Sequence, residues 1–269
     1  MKKILFYIAI ISVMMFYSCE LFELDNYDAP QETLKGTITD IATGEPVLTD
    51  QGSEGIRVRI RELSWLQTAT PDNFDILCRK DGTYQNTKIF KGHYNVRIDG
   101  PFIPLVRMTI VGDTLVDESK YVGIKGVTEV NFHVQPFLKL EWVGQPIVAN
   151  GKITASFRVT RAVTPEDFQA KIQPLGGYND NFLEVSDVRL FVSQVQYVGL
   201  HDRDDRYSVQ VNYTGNAFNS LFGQTITLTT NSEILSGRIV WIRAAARIRY
   251  LTENISRYNY NEEVKVIIP

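Results

Sequence analysis

Tryptophan and arginine side chains in one predicted strand are the first residues of this sequence suited to binding a ligand. In GRIVWIRAAARIRYL (237–251), apolar residues fill one phase of a two-residue alternation, and Trp241 shares the other phase with Arg243 and Arg247. The two phases of a strand point to opposite faces, so these three side chains are predicted to point away from the core. A flat exposed ring can stack on the apolar face of a sugar, and arginine can pair with hydroxyls or a uronic acid carboxylate. The pattern indicates a glycan-binding platform, with a contact to another domain or to a partner protein as the alternative.

A second candidate platform lies where GIRVRIRELSW (55–65) enters a loop. Trp65 falls in the same phase as Arg61, opposite to the predicted core phase. Cross-strand pairing with acidic residues is the alternative explanation for the arginines of this stretch. Aromatic residues in predicted loops are further candidates for sugar stacking: Tyr178, Phe182, Tyr258 and Tyr260.

One acidic stretch has the residue types of a calcium site. In HDRDDRY (201–207), the carboxylates of Asp202, Asp204 and Asp205 could supply the hard oxygen ligands that calcium prefers. The spacing does not fit an EF-hand loop, and aspartates are common in hairpin turns. We therefore predict no metal site, and these three residues are the candidates if one exists.

Motifs of catalysis are absent from the sequence. It contains no G-x-S-x-G and no H-E-x-x-H, and its three histidines, His93, His133 and His201, are isolated from one another. A glycosidase would need two carboxylates about 5–10 Å apart, which the sequence alone cannot pair. We predict a protein that is not an enzyme and that needs no cofactor.

The N-terminus has the pattern of a bacterial lipoprotein signal. Lys2 and Lys3 precede an uncharged run at 4–18, which is shorter than the roughly 20 residues of a membrane span and is followed by Cys19. Cleavage before Cys19 and acylation of its thiol would anchor the chain in a membrane. The alternative is an uncleaved N-terminal anchor helix. The acidic residues that follow predict a short tether: Glu20, Glu23, Asp25 and Asp28.

Charge and cysteine content limit the remaining possibilities. The formal net charge is −3 for 269 residues, which argues against nucleic acid as a partner. The second cysteine, Cys78, shares a strand phase with Phe74 and Ile76, so we predict a buried thiol and no disulfide.

Past residue 30, alternating stretches separated by turn signals predict an all-β fold. Examples are FDILC (74–78), TEVNFHV (128–134), KITASFRVT (152–160) and EVSDVRLFVSQVQYV (184–198). Helical turns are predicted at TPEDF (164–168) and AFNSLF (217–222). A break near Pro136 divides the strands into two sets of about seven, the number in one sandwich, so we expect two consecutive β-sandwich domains that touch. The predicted segments are a signal peptide (1–18), a lipidated cysteine and acidic tether (19–31), a first sandwich (32–135) and a second sandwich (136–269).

The first predicted sandwich resembles the carboxypeptidase regulatory-like domain, which has a transthyretin-like fold. The resemblance rests on LKGTITDIATGEPV (34–47) and on DGTYQNTKIFKGHYNVRI (81–98), and the insert Pro101–Gly126 is longer than the simplest members have. In the second half, FRVTR (157–161), DVRLFVSQVQYVG (187–199) and the C-terminal residues from Trp241 resemble an Ig-like domain of one lipoprotein family. That family has unknown function and comes from the polysaccharide-utilisation systems of gut-type Gram-negative bacteria.

The resemblance implies a surface lipoprotein of the outer membrane that works beside a SusC/SusD-like glycan importer. The acidic residues after Cys19 are similar to an export signal for the outer leaflet. The expected function is non-catalytic binding of an oligo- or polysaccharide. The alternative is a structural accessory that packs against the importer and never contacts sugar.

Overall fold

A computed structural model describes residues 28–64 and 73–269, and within these ranges the chain is an all-β protein with two β-sandwiches. The N-terminal sandwich contains β1 (Glu32–Asp40), β2 (Arg57–Glu62), β3 (Asn73–Leu77), β4 (Thr83–Ile89), β5 (Gly92–Asp99), β6 (Val106–Met108), β7 (Thr114–Asp117), β8 (Lys120–Ile124), β9 (Val127–Glu129) and β10 (Phe132–Val134). In one sheet β1 pairs with β4 on one edge and, in parallel, with β9 and β10 on the other. The facing sheet has the order β3-β2-β5-β8, and β6 and β7 form a separate hairpin inside the 101–126 insert.

The C-terminal sandwich is formed by strands that follow β10 along the chain. Its elements are β11 (Leu138–Trp142), β12 (Ile147–Ala149), β13 (Lys152–Arg161), α1 (Pro165–Ile172), β14 (Val185–Ser193), β15 (Val209–Asn212), β16 (Thr225–Thr229), β17 (Ile239–Ile248), β18 (Asn259–Tyr260) and β19 (Val264–Ile267). In one sheet β13 pairs with β11, β12 and β16, and in the other β14 pairs with β15 and β17. The opposite edge of β17 pairs with β18 and β19.

Side-chain alternation accounts for both cores. Every second residue of β13, from Ile153 to Val159, is buried between the two C-terminal sheets, as a strand with one buried face requires. In the N-terminal core Cys78 is buried beside Tyr84, as strand phase predicts. Burial raises the pKa of the Cys78 thiol, which keeps it protonated and unreactive.

The predicted helical turn at 164–168 is a full helix, α1. Thr164 Oγ1 accepts a hydrogen bond from the backbone N–H of Asp167 at 3.1 Å, and Pro165 occupies the first turn. Phe168 and Ile172 point into the core, so the helix extends one turn beyond the motif because its second turn has an apolar side chain to bury. None of the helices in the described ranges has the length and apolar character that a membrane crossing requires.

Two predicted strands are shorter than the alternation suggests. The stretch 184–198 leaves the sheet after Ser193, whose hydroxyl accepts the backbone N–H of Val195. The stretch 128–134 divides into β9 and β10, because the Asn131 side chain accepts the backbone N–H of Thr37 and the Val130 carbonyl accepts the Tyr84 hydroxyl. In each case side-chain hydrogen bonds replace the regular ladder.

The two sandwiches touch through a third hydrophobic cluster on the outer face of the β14–β17 sheet. Phe191, Tyr258 and Tyr260 form its aromatic centre, and Leu48 of the N-terminal sandwich packs against it. The Phe191 and Tyr260 rings are stacked, with their centroids 6.1 Å apart. We call this contact the sandwich interface.

Candidate functional site

Arg243 lies inside the sandwich interface and is not part of a glycan-binding surface. Its side chain is 1% exposed. The guanidinium donates to the backbone carbonyl oxygens of Asn261 at 2.7 Å and of Thr49 at 2.8 Å, and it lies over the Tyr260 ring. Strand phase correctly puts Arg243 away from the core of its own sandwich. The prediction of a ligand contact is wrong because the N-terminal sandwich covers this face.

Arg247 is held in an internal ion pair. Its Nε donates to Asp187 Oδ1 at 2.6 Å, and its Nη1 donates to Ser256 Oγ at 3.0 Å. Asp187 is the direct cross-strand neighbour of Arg247, it is buried, and it also accepts the Tyr258 hydroxyl. The arginine therefore pairs with an acid across the strands, and its guanidinium is not free for a sugar. The loop candidates Tyr258 and Tyr260 are likewise buried in the interface.

Trp241 is the part of the predicted platform that stays accessible. It lies on the outer face of β17, half-buried, and packs against the edge of the sandwich interface. Its cross-strand neighbours are Ser193 on β14 and Lys265 on β19. The ring therefore lies at the boundary between the part of the sheet face that the N-terminal sandwich covers and the part that is exposed to solvent.

The loop that follows β14 adds an exposed ring that sequence reasoning missed. Tyr197 is 53% exposed, and the Lys80 ammonium lies 5.7 Å from its ring centroid. Gln196 Nε2 donates to Glu263 Oε1 at 3.1 Å, and Lys80 pairs with the same carboxylate. Alternation in SQVQYV predicts a strand for this residue, and the signals that could have placed it in a loop are Gly199 and the charged run at 201–206.

Trp241, Tyr197, Gln196, Lys80 and Glu263 together form what we call the Trp241–Tyr197 surface. The loop with Tyr197 starts directly after Ser193, the neighbour of Trp241 on one side, and Glu263 precedes Lys265, its neighbour on the other, by two residues. Burial raises the pKa of Glu263, but hydrogen bonds from Lys80 and Gln196 outweigh this effect and hold the pKa below its usual value. The surface thus combines two rings with an ionised acceptor, an ammonium and an amide, which are the groups that contact sugars.

Exposed aliphatic side chains adjoin this surface. Ile239 and Ile267 are cross-strand neighbours, and they are 42% and 62% exposed. Ile239 precedes Trp241 by two residues on β17, so both side chains lie on the same face of the sheet. Val195 in the neighbouring loop is also exposed. These residues extend the apolar area beyond the two rings.

The second predicted platform is described only in part. Trp65 lies outside the described residues. Arg61 lies half-buried on β2, opposite Asn73 of β3 and Asn95 of β5. The pairing of Arg61 with a ring at position 65 stays a prediction. Cys19, the predicted lipidation site, also lies outside the described residues.

Tyr178 and two of the three candidate aspartates are engaged elsewhere. Tyr178 packs edge-to-face on Phe182 at the border of the C-terminal core, with ring centroids 5.9 Å apart, and burial raises the pKa of its phenol. Asp204 pairs with Arg206 at 2.6 Å, and Asp205 pairs with Arg203 at 2.6 Å.

The aspartate pairs use the carboxylate oxygens that a calcium ion would need, and Asp202 supplies a single remaining carboxylate. Within residues 28–64 and 73–269, no group of three or more histidine, cysteine, aspartate or glutamate side chains has the spacing of a metal site.

Comparison with known proteins finds relatives among solved structures. No protein-family model and no curated protein matches the chain. A DUF3823 family protein from Bacteroides uniformis ATCC 8492 is 53% identical, with a TM-score of 0.86, and the match covers 89% of this chain and 100% of that chain. A DUF3823 family protein from Parabacteroides merdae ATCC 43184 is 20% identical, with a TM-score of 0.60 over the same shares. A second Bacteroides uniformis protein, described as a "putative carbohydrate binding protein", has the same identity, TM-score and coverage. At 20% identity the last two show a common fold.

Proposed function

Since this chain belongs to the DUF3823 family, we propose that it is a non-catalytic lipoprotein that binds glycan at the cell surface. The observation that carries the proposal is the Trp241–Tyr197 surface, where two accessible rings adjoin polar groups on the part of the sheet face that the N-terminal sandwich leaves uncovered. One neighbour of the same fold carries a carbohydrate-binding description, which supports the same class of ligand.

Stacking is the main interaction at this surface. A pyranose ring presents apolar C–H groups to an aromatic face, and Tyr197 and Trp241 offer such faces. The ionised Glu263 accepts hydrogen bonds from sugar hydroxyls, while Gln196 and Lys80 donate to ring and hydroxyl oxygens. Because most of this surface is pre-ordered by the Lys80–Glu263–Gln196 hydrogen bonds, little side-chain entropy is lost when a ligand binds.

The proposed lack of catalysis is supported by the ionised state of Glu263, the acid beside the rings. Glu263 has its pKa lowered, whereas a general acid for glycoside cleavage needs a raised one. The related solved structures are named as DUF3823 or carbohydrate-binding proteins and not as enzymes.

The proposed location rests on the sequence of the N-terminus. The positive residues, the short uncharged run and Cys19 support a lipid anchor, and the resemblance to polysaccharide-utilisation lipoproteins supports the outer membrane and a SusC/SusD-like importer as partner. We expect Cys19→Ala to release the protein from the membrane fraction into the soluble fraction. Retention of the variant in membranes would contradict lipid anchoring.

The glycan proposal is tested by titrating the full chain in detergent with plant, host and microbial polysaccharides, using calorimetry. Saturable binding to one glycan is expected, and Tyr197→Ala or Trp241→Ala should weaken it at least tenfold. Tyr121→Ala is the matched control, since this ring is exposed on β8 of the other sandwich. No binding across the panel, or equal loss in the control, would overturn the proposal.

A structural accessory is the second candidate, and the exposed aliphatic pair Ile239 and Ile267 favours it. Apolar surface that is not aromatic contributes more to protein docking than to sugar binding. Under this alternative, Ile239→Ser with Ile267→Ser should reduce co-purification with the importer, and the polysaccharide panel should give no heat.

A further inference from the structure

A cleft between the two sandwiches shares no residue with the Trp241–Tyr197 surface. Its volume is about 190 Å³. Its lining includes Arg97 on β5, Arg107 and Met108 on the β6–β7 hairpin, Leu175 after α1, and the segment after β17 with Tyr250 and Glu253. The hairpin belongs to the insert, and its tip is fixed to the C-terminal sandwich by the Ile110 backbone N–H, which donates to the Leu175 carbonyl at 2.8 Å. The cleft therefore has ordered walls on three sides.

Among residues 28–64 and 73–269, Arg97 has no hydrogen-bonding partner for its guanidinium. It lies directly opposite Arg59 in the antiparallel register of β2 and β5, and like charges in that position destabilise a sheet. Arg59 is engaged by Asp75 through two hydrogen bonds, of 2.7 and 2.9 Å. In the part of the chain that the structure describes, the Arg97 guanidinium forms no hydrogen bond and no ion pair. Burial lowers the pKa of Arg97, and the neighbouring Arg59 and Arg61 lower it further, against a raising effect of Glu253 and Asp99.

Arg107 is a second guanidinium in the same cleft. Among the described residues it has neither a hydrogen bond nor an ion pair. Its charge contributes a lowering effect to the pKa of Asp167 and to that of Tyr250. Burial raises the pKa of the Tyr250 phenol, so the phenol stays protonated as a hydrogen-bond donor, and the described residues offer its hydroxyl no acceptor. Among the described residues, two guanidinium groups and a phenol in this cleft thus form no hydrogen bond with one of its acceptors.

The acids that line the cleft are already engaged. Asp99 pairs with Arg57 at 2.9 Å and with Arg257. Glu253 lies 3.8 Å from Arg59. It is fixed on a tight turn in which Glu253 and Asn254 both have positive φ, 51° and 61°. The charge of Glu253 also raises the pKa of Arg97, but in the described ranges neither carboxylate forms an ion pair with Arg97 or Arg107.

We propose that this cleft is a second binding site, which takes the anionic group of an acidic sugar. Arg97 and Arg107 donate to a carboxylate or a sulfate ester, for which the planar guanidinium fork is suited. The Tyr250 hydroxyl donates to the same sugar, and the exposed side chain of Met108 contacts its apolar face. An anion here would also remove the repulsion between Arg59 and Arg97. This goes beyond the proposed function, which names neither a charged ligand nor a second site.

The test is calorimetry on the full chain in detergent with three probes: trigalacturonic acid, a heparin-derived tetrasaccharide and inorganic sulfate. At least one probe should bind, with affinity that falls as salt rises. Arg97→Gln or Arg107→Gln should weaken binding at least tenfold. Arg79→Gln removes an exposed arginine outside the cleft and should change nothing. Binding of trigalacturonic acid but not of its methyl ester assigns the site to carboxylates, whereas binding of the heparin-derived tetrasaccharide without binding of trigalacturonic acid assigns it to sulfate esters.

No binding of any probe, or equal binding by wild type and both glutamine variants, would overturn the proposal. Arg97→Lys separates ligand binding from folding, because it keeps the charge and loses the fork, and it should bind more weakly than wild type with an unchanged unfolding temperature. Tyr197→Ala should leave binding of the anionic probe intact. That result separates failure of the cleft from failure of the Trp241–Tyr197 surface.

Discussion

At the scale of single residues, Trp241 and Phe191 lie on neighbouring strands of one sheet face but differ in burial. Phe191 is fully buried in the sandwich interface, whereas Trp241 is half-buried at its edge. Phe191→Ala should lower the free energy of unfolding by about 3–5 kcal/mol, because a buried ring leaves a cavity. Trp241→Ala should cost less, about 1–2 kcal/mol, because part of its area is already hydrated. Urea unfolding of both variants checks this order, and an equal or larger loss for Trp241→Ala would show that the ring is a core residue.

His201 joins the sandwiches in a pH-dependent way. Its Nδ1 lies 2.9 Å from Asp50 Oδ2 and its Nε2 lies 2.9 Å from Glu54 Oε2, both in the N-terminal sandwich. The hydrogen bond with Asp50 raises the pKa of His201, burial opposes this, and the charges of Asp50, Glu54 and Asp202 raise it further. A folded pKa above the unfolded one means that the imidazolium stabilises the fold fully below the unfolded pKa. That contribution is lost as pH rises through the folded pKa.

We therefore expect His201→Gln to destabilise the protein more at pH 5.5 than at pH 8.5, as measured by urea unfolding at both values. The effect should be modest and should shrink in high salt, because 42% of the His201 side chain is exposed. A variant that is equally destabilised at both pH values would show that the contact depends on shape and not on charge.

Residue-level prediction from sequence succeeded where strand phase alone decides the outcome. The phase of β17 correctly separates Ala244 and Ile248, in the C-terminal core, from Trp241 on the opposite face. It could not foresee that Arg243 would be covered, because a two-residue period identifies a face and not what packs on it. Tyr197 was missed for another reason: a single side-chain hydrogen bond at Ser193 ends the strand, and alternation does not encode that bond.

At the scale of elements, α1 depends on its N-cap. Thr164→Ala removes the acceptor for the Asp167 backbone N–H, and we expect a loss of about 1 kcal/mol in unfolding free energy. Thr164→Ser is the matched control and should stay near wild type, because it keeps the hydroxyl. Equal losses in the two variants would mean that the threonine methyl group, and not the cap, matters.

The sequence predicts elements well where the alternation is long and poorly where elements are short. β13 and β17 were predicted within a few residues, because each buries one complete row of side chains. The hairpin of β6 and β7 was missed, since three- and four-residue strands show no measurable period. For the same reason the cleft could not be predicted. Arg107 becomes a candidate ligand-binding residue only because the hairpin places it near Arg97 of β5. The boundary predicted near residue 136 stays a prediction.

At the scale of the whole molecule, two buried arginines join the sandwiches. Arg243 donates to the carbonyl of Thr49, and Arg257 donates to the carbonyls of Ser53 and Gly55. Arg257 also pairs with Asp99 of β5. Removing a buried donor leaves each carbonyl partner unsatisfied, at about 1–3 kcal/mol per group.

The double variant Arg243→Ala with Arg257→Ala should therefore unfold in two separate thermal transitions, whereas the wild type should unfold in one. Differential scanning calorimetry measures this directly. Arg249→Ala is the control, because Arg249 pairs with Glu184 inside the C-terminal sandwich and should keep the single transition. One transition in the double variant would show that the aromatic cluster alone couples the sandwiches.

The arginines that join the sandwiches bind carbonyl oxygens of the main chain, which every amino acid possesses. Such a junction does not depend on which side chains the 49–55 loop carries. Apart from Asp50 and Glu54, whose side chains contact His201, residues of that loop can therefore change over evolutionary time while the two sandwiches keep their mutual orientation. Related proteins that differ greatly in this loop should retain arginine at positions 243 and 257. Only the arginine side of each contact requires a particular residue type.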